Sequence, residues 1–492
     1  MKDSKDKKQK AEKRLDLRKK FIFTCDPVTA RDYDDALSLE TNLKGQRILG
    51  VHIADVSHFV KPGSDLDRRA FERGTSVFYV DHVEPMLPEE LANGECSLLP
   101  GVDRLTFSVF MTFDKAGKLV KRSFAKSVIR SKARFTYEQV MGVIAGSEKV
   151  KRKSEKVGGG SIAKKELKTI REISKLAQQL RAQRFAAGAL DLEMPEPEVL
   201  LDENGCMTGL VTRPYDESHQ MIEECMIAAN EAVATELWTH GVRILARLHD
   251  SPEDEKLLTL RAELRGLGVK MGNIANPKVF SQFLKAIKSH PLYSTISMMV
   301  LRSMKKAVYD PRRIGHFGLA KKYYAHFTSP IRRYPDLTLH RQLADYLAGG
   351  AEKAKRPPKL LAKWAEHSSE KEIEAQEAER ASVEEKKYEF LADQLASRQI
   401  LEYDAVISKC MPFGCFVEIP EIAVSGLVHI SLLSRKYVRY NESDGTLSAY
   451  GGGNWKIGDR LRVTVAAVDF QNRRIDFTPV RQPKSPRGTR RH

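Results

Sequence analysis

The chain has 492 residues, 41% of them hydrophobic, enough for real cores and for about three domains as a prior. Lys and Arg number 82 against 65 Asp and Glu, a formal net charge of +17 that suits a polyanionic partner, beside the plainer reading of a soluble basic protein. Six scattered cysteines without a C-x-x-C pair exclude a zinc ribbon and read as reduced thiols of a cytoplasmic protein, and no apolar run is long enough to span a bilayer.

Residues 1–20 open with Met1-Lys2-Asp3-Ser4-Lys5-Asp6-Lys7-Lys8. No apolar core follows those charges, so this is no secretory signal but a basic arm or the start of a helix. Next comes the most informative stretch, Cys25-Asp26-Pro27-Val28-Thr29-Ala30-Arg31-Asp32-Tyr33-Asp34-Asp35-Ala36. Four carboxylates this close repel one another, which raises their pKa values and opposes folding. A hard divalent cation relieves that repulsion, because Mg²⁺ takes oxygen ligands and keeps waters and substrate phosphates in its shell. An EF-hand starting at Asp32 fails, since Leu37 would occupy its glycine position and Leu43 its glutamate position. A solvated acidic turn fits the bare spacing equally well. What favours the metal reading is the alternation that follows. Ala36–Glu40 and, after a Lys44-Gly45 turn, Arg47–Val56 read as strands, so the acidic loop leads into a sheet.

Residues 21 to about 145 read as strand-rich with helical inserts such as Asp65–Arg73. The Lys/Gly/Ser-rich segment 148–172, with Gly158-Gly159-Gly160-Ser161, reads as a surface connection, and a helix is expected over about 165–186. Met221–Asn230 carries apolar residues at helical spacing. The Glu/Lys/Ala-rich stretch 357–398 reads as one long charged helix. From 399 to 481 short alternating strands recur at Tyr403–Ile407, Gly414–Ile419, Gly426–Ile430 and Leu461–Val465, separated by turns such as Gly451-Gly452-Gly453-Asn454. About five strands in that length suit a small barrel of the OB type. Residues 482–492 are Pro/Arg/Lys-rich and are expected to be a disordered basic tail.

Over nearly all of 21–481 the sequence resembles the ribonuclease II / ribonuclease R family, nearer to ribonuclease R. The resemblance is carried by Asp26–Ala36, Val51-His52-Ile53-Ala54-Asp55-Val56-Ser57-His58, Arg73-Gly74-Thr75-Ser76-Val77 and Pro85-Met86-Leu87-Pro88. It continues in Cys96-Ser97-Leu98, His316-Phe317-Gly318-Leu319-Ala320 and Tyr324–Asp336. Any one of these is weak; so many in order are specific. The resemblance implies an α+β fold: a catalytic domain over 21–398 with a mixed sheet and surrounding helices, then an all-β OB-fold RNA-binding barrel over 399–481. It implies processive, Mg²⁺-dependent hydrolysis of single-stranded RNA from its 3′ end to nucleoside 5′-monophosphates, with two ions during catalysis. A non-catalytic RNA-binding regulator on the same scaffold and a metal-dependent endoribonuclease are the rivals. No protein partner is evident.

Residue by residue, Asp26, Asp32, Asp34 and Asp35 match the family's metal ligands, with Asp34 at the position most tied to catalysis. Arg332, in Thr328-Ser329-Pro330-Ile331-Arg332-Arg333-Tyr334, matches the catalytic arginine, a suitable choice because a guanidinium stays charged and forks onto phosphate oxygens. Without the resemblance it reads as a helix-start charge, and Arg333 as a neighbour that pairs with an acid. Glu223 and Glu379 match glutamates that contact RNA near the 3′ end, where the bland reading is a solvated helix face. Phe413, Phe416 and His429 match the barrel's base-stacking face, against a reading of the phenylalanines as barrel core. His52, His58, His249 and His316 read as hydrogen-bonded structural residues, because imidazole suits softer metals than Mg²⁺.

Two departures stand out. A tyrosine that clamps the terminal nucleotide is replaced by Phe78, and its stacking phenylalanine by Leu192, which leaves the final product length open. Phe78 reads equally as strand core. Only 25 residues precede Asp26, too few for the cold-shock-like barrels that family members carry there, so a less enclosed RNA entry path is expected.

Overall fold

The computed structural model describes residues 13–147, 163–191, 197–272, 276–290, 292–397, 401–442 and 445–480. Leu192, the Gly158–Ser161 stretch, the first twelve residues and the basic tail lie outside the described residues. The chain divides into two compact units. The first comprises 1–77, 84–194 and 214–375, the second 78–83, 195–213 and 376–492.

The first unit is built on a seven-stranded mixed sheet. Its order is Leu15–Asp16, Leu119–Arg130, Asp103–Phe113, Arg47–Ala54, Asp35–Thr41, Phe23–Cys25 and Ala133–Phe135. The two edge pairs run parallel and the interior pairs antiparallel. Leu15–Asp16 lies within the stretch expected as a basic arm. It is a strand, so the arm gives way to the sheet well before residue 20.

Side chains alternate across the sheet, and both faces are covered. Leu37, Leu49, Val51 and Ile53 bury into one core with helices Lys164–Ala186 and Glu217–Thr239. Ala36 and Ala54 point into a second core with Ile22, Ile331, Tyr334 and Leu337. Two covered faces explain why Arg47–Ala54 reads as nearly continuous apolar residues. The strand stops at Ala54, because Val56–Phe59 turns into a short helix. The helix expected at Asp65–Arg73 is found there, N-capped by Ser64. The long charged helix runs over Pro358–Ala396. The surface connection ends earlier than expected, since helix begins at Lys164.

The second unit contains a closed five-stranded barrel of Tyr403–Met411, Gly414–Ile419, Val424–His429, Arg460–Asp469 and Arg474–Pro479. Gly414 sits at φ +152°, and a Cβ there would meet the Val428 carbonyl oxygen at 2.2 Å, so only glycine lets the strands approach this closely. The second unit is not continuous in sequence. A hairpin of Pro197–Leu201 and Met207–Thr212 packs Met207 into the barrel core, with Val199, Leu201 and Leu210 against it. A further antiparallel ribbon, Val438–Asn441, Thr446–Ala449 and Asn454–Trp455, fills the segment that reads in sequence as turns.

Candidate active site

Strands Phe23–Cys25 and Asp35–Thr41 are antiparallel neighbours, Phe23 opposite Leu37. The acidic loop is the connection between them, so Asp26 and Asp35 stand side by side at one end of the sheet. The Asp26 amide donates to the Phe135 carbonyl at 3.1 Å, and the Ala54 amide donates to the Asp34 carbonyl at 2.9 Å. Asp26, Asp34 and Asp35 thus sit at strand ends, which hold geometry better than a free loop, while Asp32 lies in the loop between them.

Asp34 is 5% exposed. Its Oδ1 accepts a hydrogen bond from the Ile331 amide at 3.0 Å, and its Oδ2 lies 3.8 Å from Arg332 Nε. Residues almost 300 apart in sequence are therefore joined at this carboxylate. Burial pushes Asp34 well above the usual carboxylate range, Arg332 opposes the rise, and Asp32 and Asp35 add to it. Burial and then Asp35 raise Asp26 in the same way. Asp35 is pushed up to about 6 by burial, against the pull of Arg332. Burial raises Asp32 as well.

The Arg332 loop is strapped down by its backbone. The Arg332 carbonyl accepts from the Ser76 amide and from Thr75 Oγ1, each at 3.0 Å, and the Tyr334 amide donates to the Gly74 carbonyl at 2.9 Å. Buried Asp336 accepts from the Ser329 amide and from Arg333, each at 2.8 Å. Arg333 thus pairs with an acid as expected, and its neighbour Arg332 keeps a half-exposed side chain held by Ser329 Oγ at 3.1 Å. Asn230 steadies the same loop, donating to the Tyr324 hydroxyl at 3.2 Å and accepting from the Phe327 amide at 2.8 Å. Gly74–Ser76 and Asp336 stand in quoted motifs and Asn230 on an expected helix, but their role in holding this loop escapes a reading of the sequence, because their partners are remote and their work is done on backbone groups.

A rim of aromatic and ionic groups adjoins the aspartates. Tyr137 stacks on His219 at 3.9 Å, and the Arg134 guanidinium lies 5.1 Å from the Tyr33 ring centre. Glu223 contacts the Tyr215 hydroxyl and lies 3.6 Å from Arg184, whose Nε donates to buried Glu224 at 3.0 Å. Glu223 is therefore part of a network and not a loose surface charge.

The histidines are structural. His52 is buried between Ser38 Oγ at 2.9 Å and Ser108 Oγ at 2.6 Å. His249 faces the Lys305 carbonyl and the Gly318 amide, each at 2.8 Å. His316 accepts from the Leu319 amide at 3.2 Å. His58 is exposed, 3.5 Å from Arg14, which pairs with buried Asp55 at 2.6 Å.

Phe78, Glu379, Phe413, Phe416 and His429 belong to the second unit. Phe78 is 37% exposed on a short strand, a surface position and not strand core. Glu379 lies on the long helix, where its carbonyl accepts from Ser382 Oγ at 2.8 Å. On the barrel, Cys415, Val417 and Ile419 point inward. Phe416 therefore takes the outer face, and the register sets His429 opposite Gly414, beside Phe413. The two phenylalanine rings meet edge to face at 6.1 Å. They are not barrel core.

The four aspartates fit a hard cation in donor chemistry: all ligands are oxygens, all lie where burial penalises charge, and Asp26 Oδ2 is buried without a hydrogen-bond partner. Among the described residues no three His, Cys, Asp or Glu side chains converge as a ready-made cage.

Comparison with known proteins agrees with this geometry. The RNB domain profile matches residues 14–349 and the S1 RNA binding domain profile residues 402–478. The chain is 43% identical over 479 residues to ribonuclease R of Thermotoga maritima, covering 95% of this chain and 65% of that one. To ribonuclease R of Escherichia coli it is 36% identical over 489 residues, covering 96% of this chain and 58% of that one, so it spans under two thirds of these relatives. Mycoplasma genitalium RNase R in complex with ribose methylated single-stranded RNA superimposes with a TM-score of 0.83 at 28% identity, covering 98% of this chain and 74% of that one. Among the described residues no helix is long and apolar enough to cross a membrane. With the RNB domain matched over most of its length and ribonuclease R relatives over nearly all of it, the chain belongs to the RNB-domain family of ribonuclease II and ribonuclease R.

Proposed function

We propose that this protein is a cytoplasmic 3′→5′ exoribonuclease that degrades single-stranded RNA processively to nucleoside 5′-monophosphates with Mg²⁺. The observation that carries the reading is the junction at Asp34, where a buried carboxylate is bonded to the Arg332 loop. Asp26, Asp32, Asp34 and Asp35 would hold the metal, which when bound supplies positive charge for phosphate and lowers the pKa of a water. Arg332 binds non-bridging phosphate oxygens, and its fork orients the scissile group in addition to neutralising it. The Gly74–Ser76 strap and Asp336 fix the loop from which Arg332 reaches. Glu223 contacts RNA near its 3′ end, and Glu379 is a further RNA-binding residue. Phe413, Phe416 and His429 hold unpaired bases by stacking, which tolerates any sequence and suits an enzyme that advances.

The deciding experiment supplies 5′-labelled linear RNA, a circular RNA and an all-DNA strand of the same sequence with Mg²⁺. Linear RNA should shorten from its 3′ end, while the circle and the DNA persist, since the 2′-hydroxyl distinguishes the sugars at a site. Cutting of the circle would establish an endonuclease, and binding without shortening a non-catalytic regulator.

Metal binding has its own readout. A cation that binds the folded state alone raises its stability. The thermal midpoint in Mg²⁺ should exceed that in EDTA by a few degrees, and Asp34→Asn should narrow the gap. Equal midpoints with and without the ion would speak against these ligands.

Phe78 retains the ring of the clamp but not a hydroxyl. Phe78→Ala should lengthen the final product and weaken the grip on the shortest RNAs by about 1–3 kcal/mol, the cost of losing one base–aromatic stack. An unchanged product ladder would remove Phe78 from the clamp.

A further inference from the structure

The three-stranded ribbon between barrel strands Val424–His429 and Arg460–Asp469 is not used by the reading above. Its strands alternate cleanly. Val438 and Leu447 bury into the core of the second unit, and Tyr440, Ala449 and Trp455 pack against it. The opposite face therefore carries Tyr437 and Arg439 on one strand side and Ser448 and Tyr450 on the other. The Tyr450 amide donates to the Tyr437 carbonyl at 3.0 Å, which makes the two tyrosines cross-strand partners. They are 79% and 82% exposed.

Single exposed apolar residues are ordinary on a protein surface, but two large aromatic residues at paired backbone positions, both open to solvent, are not. Their surroundings are basic. Arg435, Lys436 and Arg439 are all exposed within the same stretch, against the acids Glu442 and, in the sequence, Asp444. Gly451, Gly452 and Gly453 follow Tyr450 at φ +86°, +117° and +110°, backbone that L side chains rarely adopt. Lys436 Nζ comes within 2.6 Å of where a Cβ on Gly451 would sit, so the glycine makes room for an ammonium group beside the tyrosines. Adjacent aromatic faces flanked by cations match single-stranded nucleic acid, with bases on the rings and phosphates on the charges. An apolar peptide would want a dry groove, and this face is open and charged.

We propose that this ribbon is a second stacking platform for single-stranded RNA, Tyr437 and Tyr450 taking unpaired bases and Arg435, Lys436 and Arg439 their phosphates. It is distinct from the Phe413, Phe416 and His429 face, which lies on barrel strands and their ends. The inference rests on RNA being the substrate, as proposed above.

The test titrates the full chain against a labelled single strand of about 20 nucleotides, long enough to occupy more than one aromatic site. EDTA is present, so binding is read without cleavage. The double variant Tyr437→Ala/Tyr450→Ala should bind about tenfold more weakly. Tyr437→Phe/Tyr450→Phe should bind like the unaltered chain, because the ring faces remain. In the unaltered chain, 4-thiouridine RNA should photo-crosslink to the segment 437–450. Undiminished affinity of the alanine variant, equal weakening by the phenylalanine variant, or crosslinks confined to the segment around Phe413 and Phe416 would each overturn the proposal. An unaltered chain that binds this RNA but fails to shorten it in Mg²⁺ would condemn the exonuclease reading and leave the platform standing. Failure to bind at all would remove both.

Discussion

Asp34→Asn should abolish cleavage while leaving RNA binding largely intact. The substitution keeps the shape and an oxygen that can still accept from the Ile331 amide, so the Arg332 loop stays anchored. It removes one negative charge from the place where Asp32, Asp34 and Asp35 act on one another. Metal affinity and the charge balance against Arg332 should both suffer. Single-turnover rates in saturating Mg²⁺ should fall by about three orders of magnitude, as several kcal/mol of transition-state stabilisation implies. Binding rests on stacking and basic surface and should change little. A rate near that of the unaltered chain would sink the assignment of Asp34 to the metal.

Arg332→Lys should be nearly as damaging, although it conserves charge. Lysine offers a point charge where arginine offers a planar fork, and it cannot reproduce both the Ser329 contact and the approach to Asp34. The rate of bound substrate should fall by about 10²–10³-fold, typical of losing one preorganised group that stabilises developing charge. The backbone straps from Gly74–Ser76 do not involve the side chain, so the thermal midpoint should hold. A lysine variant that keeps full activity would show that Arg332 supplies only bulk charge. One that loses its thermal midpoint as well would reassign Arg332 to holding the fold.

Removing the barrel by cutting the chain near residue 398 is a poorer test of RNA binding than the sequence suggests. Met207, Val199, Leu201 and Leu210 pack in the same core as the barrel strands, and the cut would expose them. Phe413→Ala with Phe416→Ala asks the same question without that exposure, because these rings stand on the outer face.

Much of the site was legible in the sequence. Four aspartates within ten residues, leading into alternating strands, located the charged end of the sheet. The strand pattern after 399 located the barrel, whereas Arg332 was singled out only by the family resemblance of Thr328–Tyr334 and by itself read as a helix-start charge. These signals are local, because carboxylate repulsion, period-two burial and turn glycines act between near neighbours in the chain. The placement of Phe416 was ambiguous for the same reason: one apolar residue in a strand suits a core or an outer face, and only the register, with Cys415 and Val417 inward, separates them.

By itself, then, the sequence determined the α+β order of elements, the acidic loop, the arginine motif and the barrel at its end. Tertiary structure decided how these meet. It alone joined Asp34 to Ile331 and Arg332, set Gly74–Ser76 and Asp336 to hold that loop, and wove the hairpin 197–212 into the barrel core. It alone turned a glycine-rich stretch into a ribbon that pairs the backbones of Tyr437 and Tyr450. The physical reason is that these contacts close long loops through backbone hydrogen bonds and buried surface. Every peptide carries those backbone groups, whatever its side chain, so composition and spacing leave no mark of which will pair.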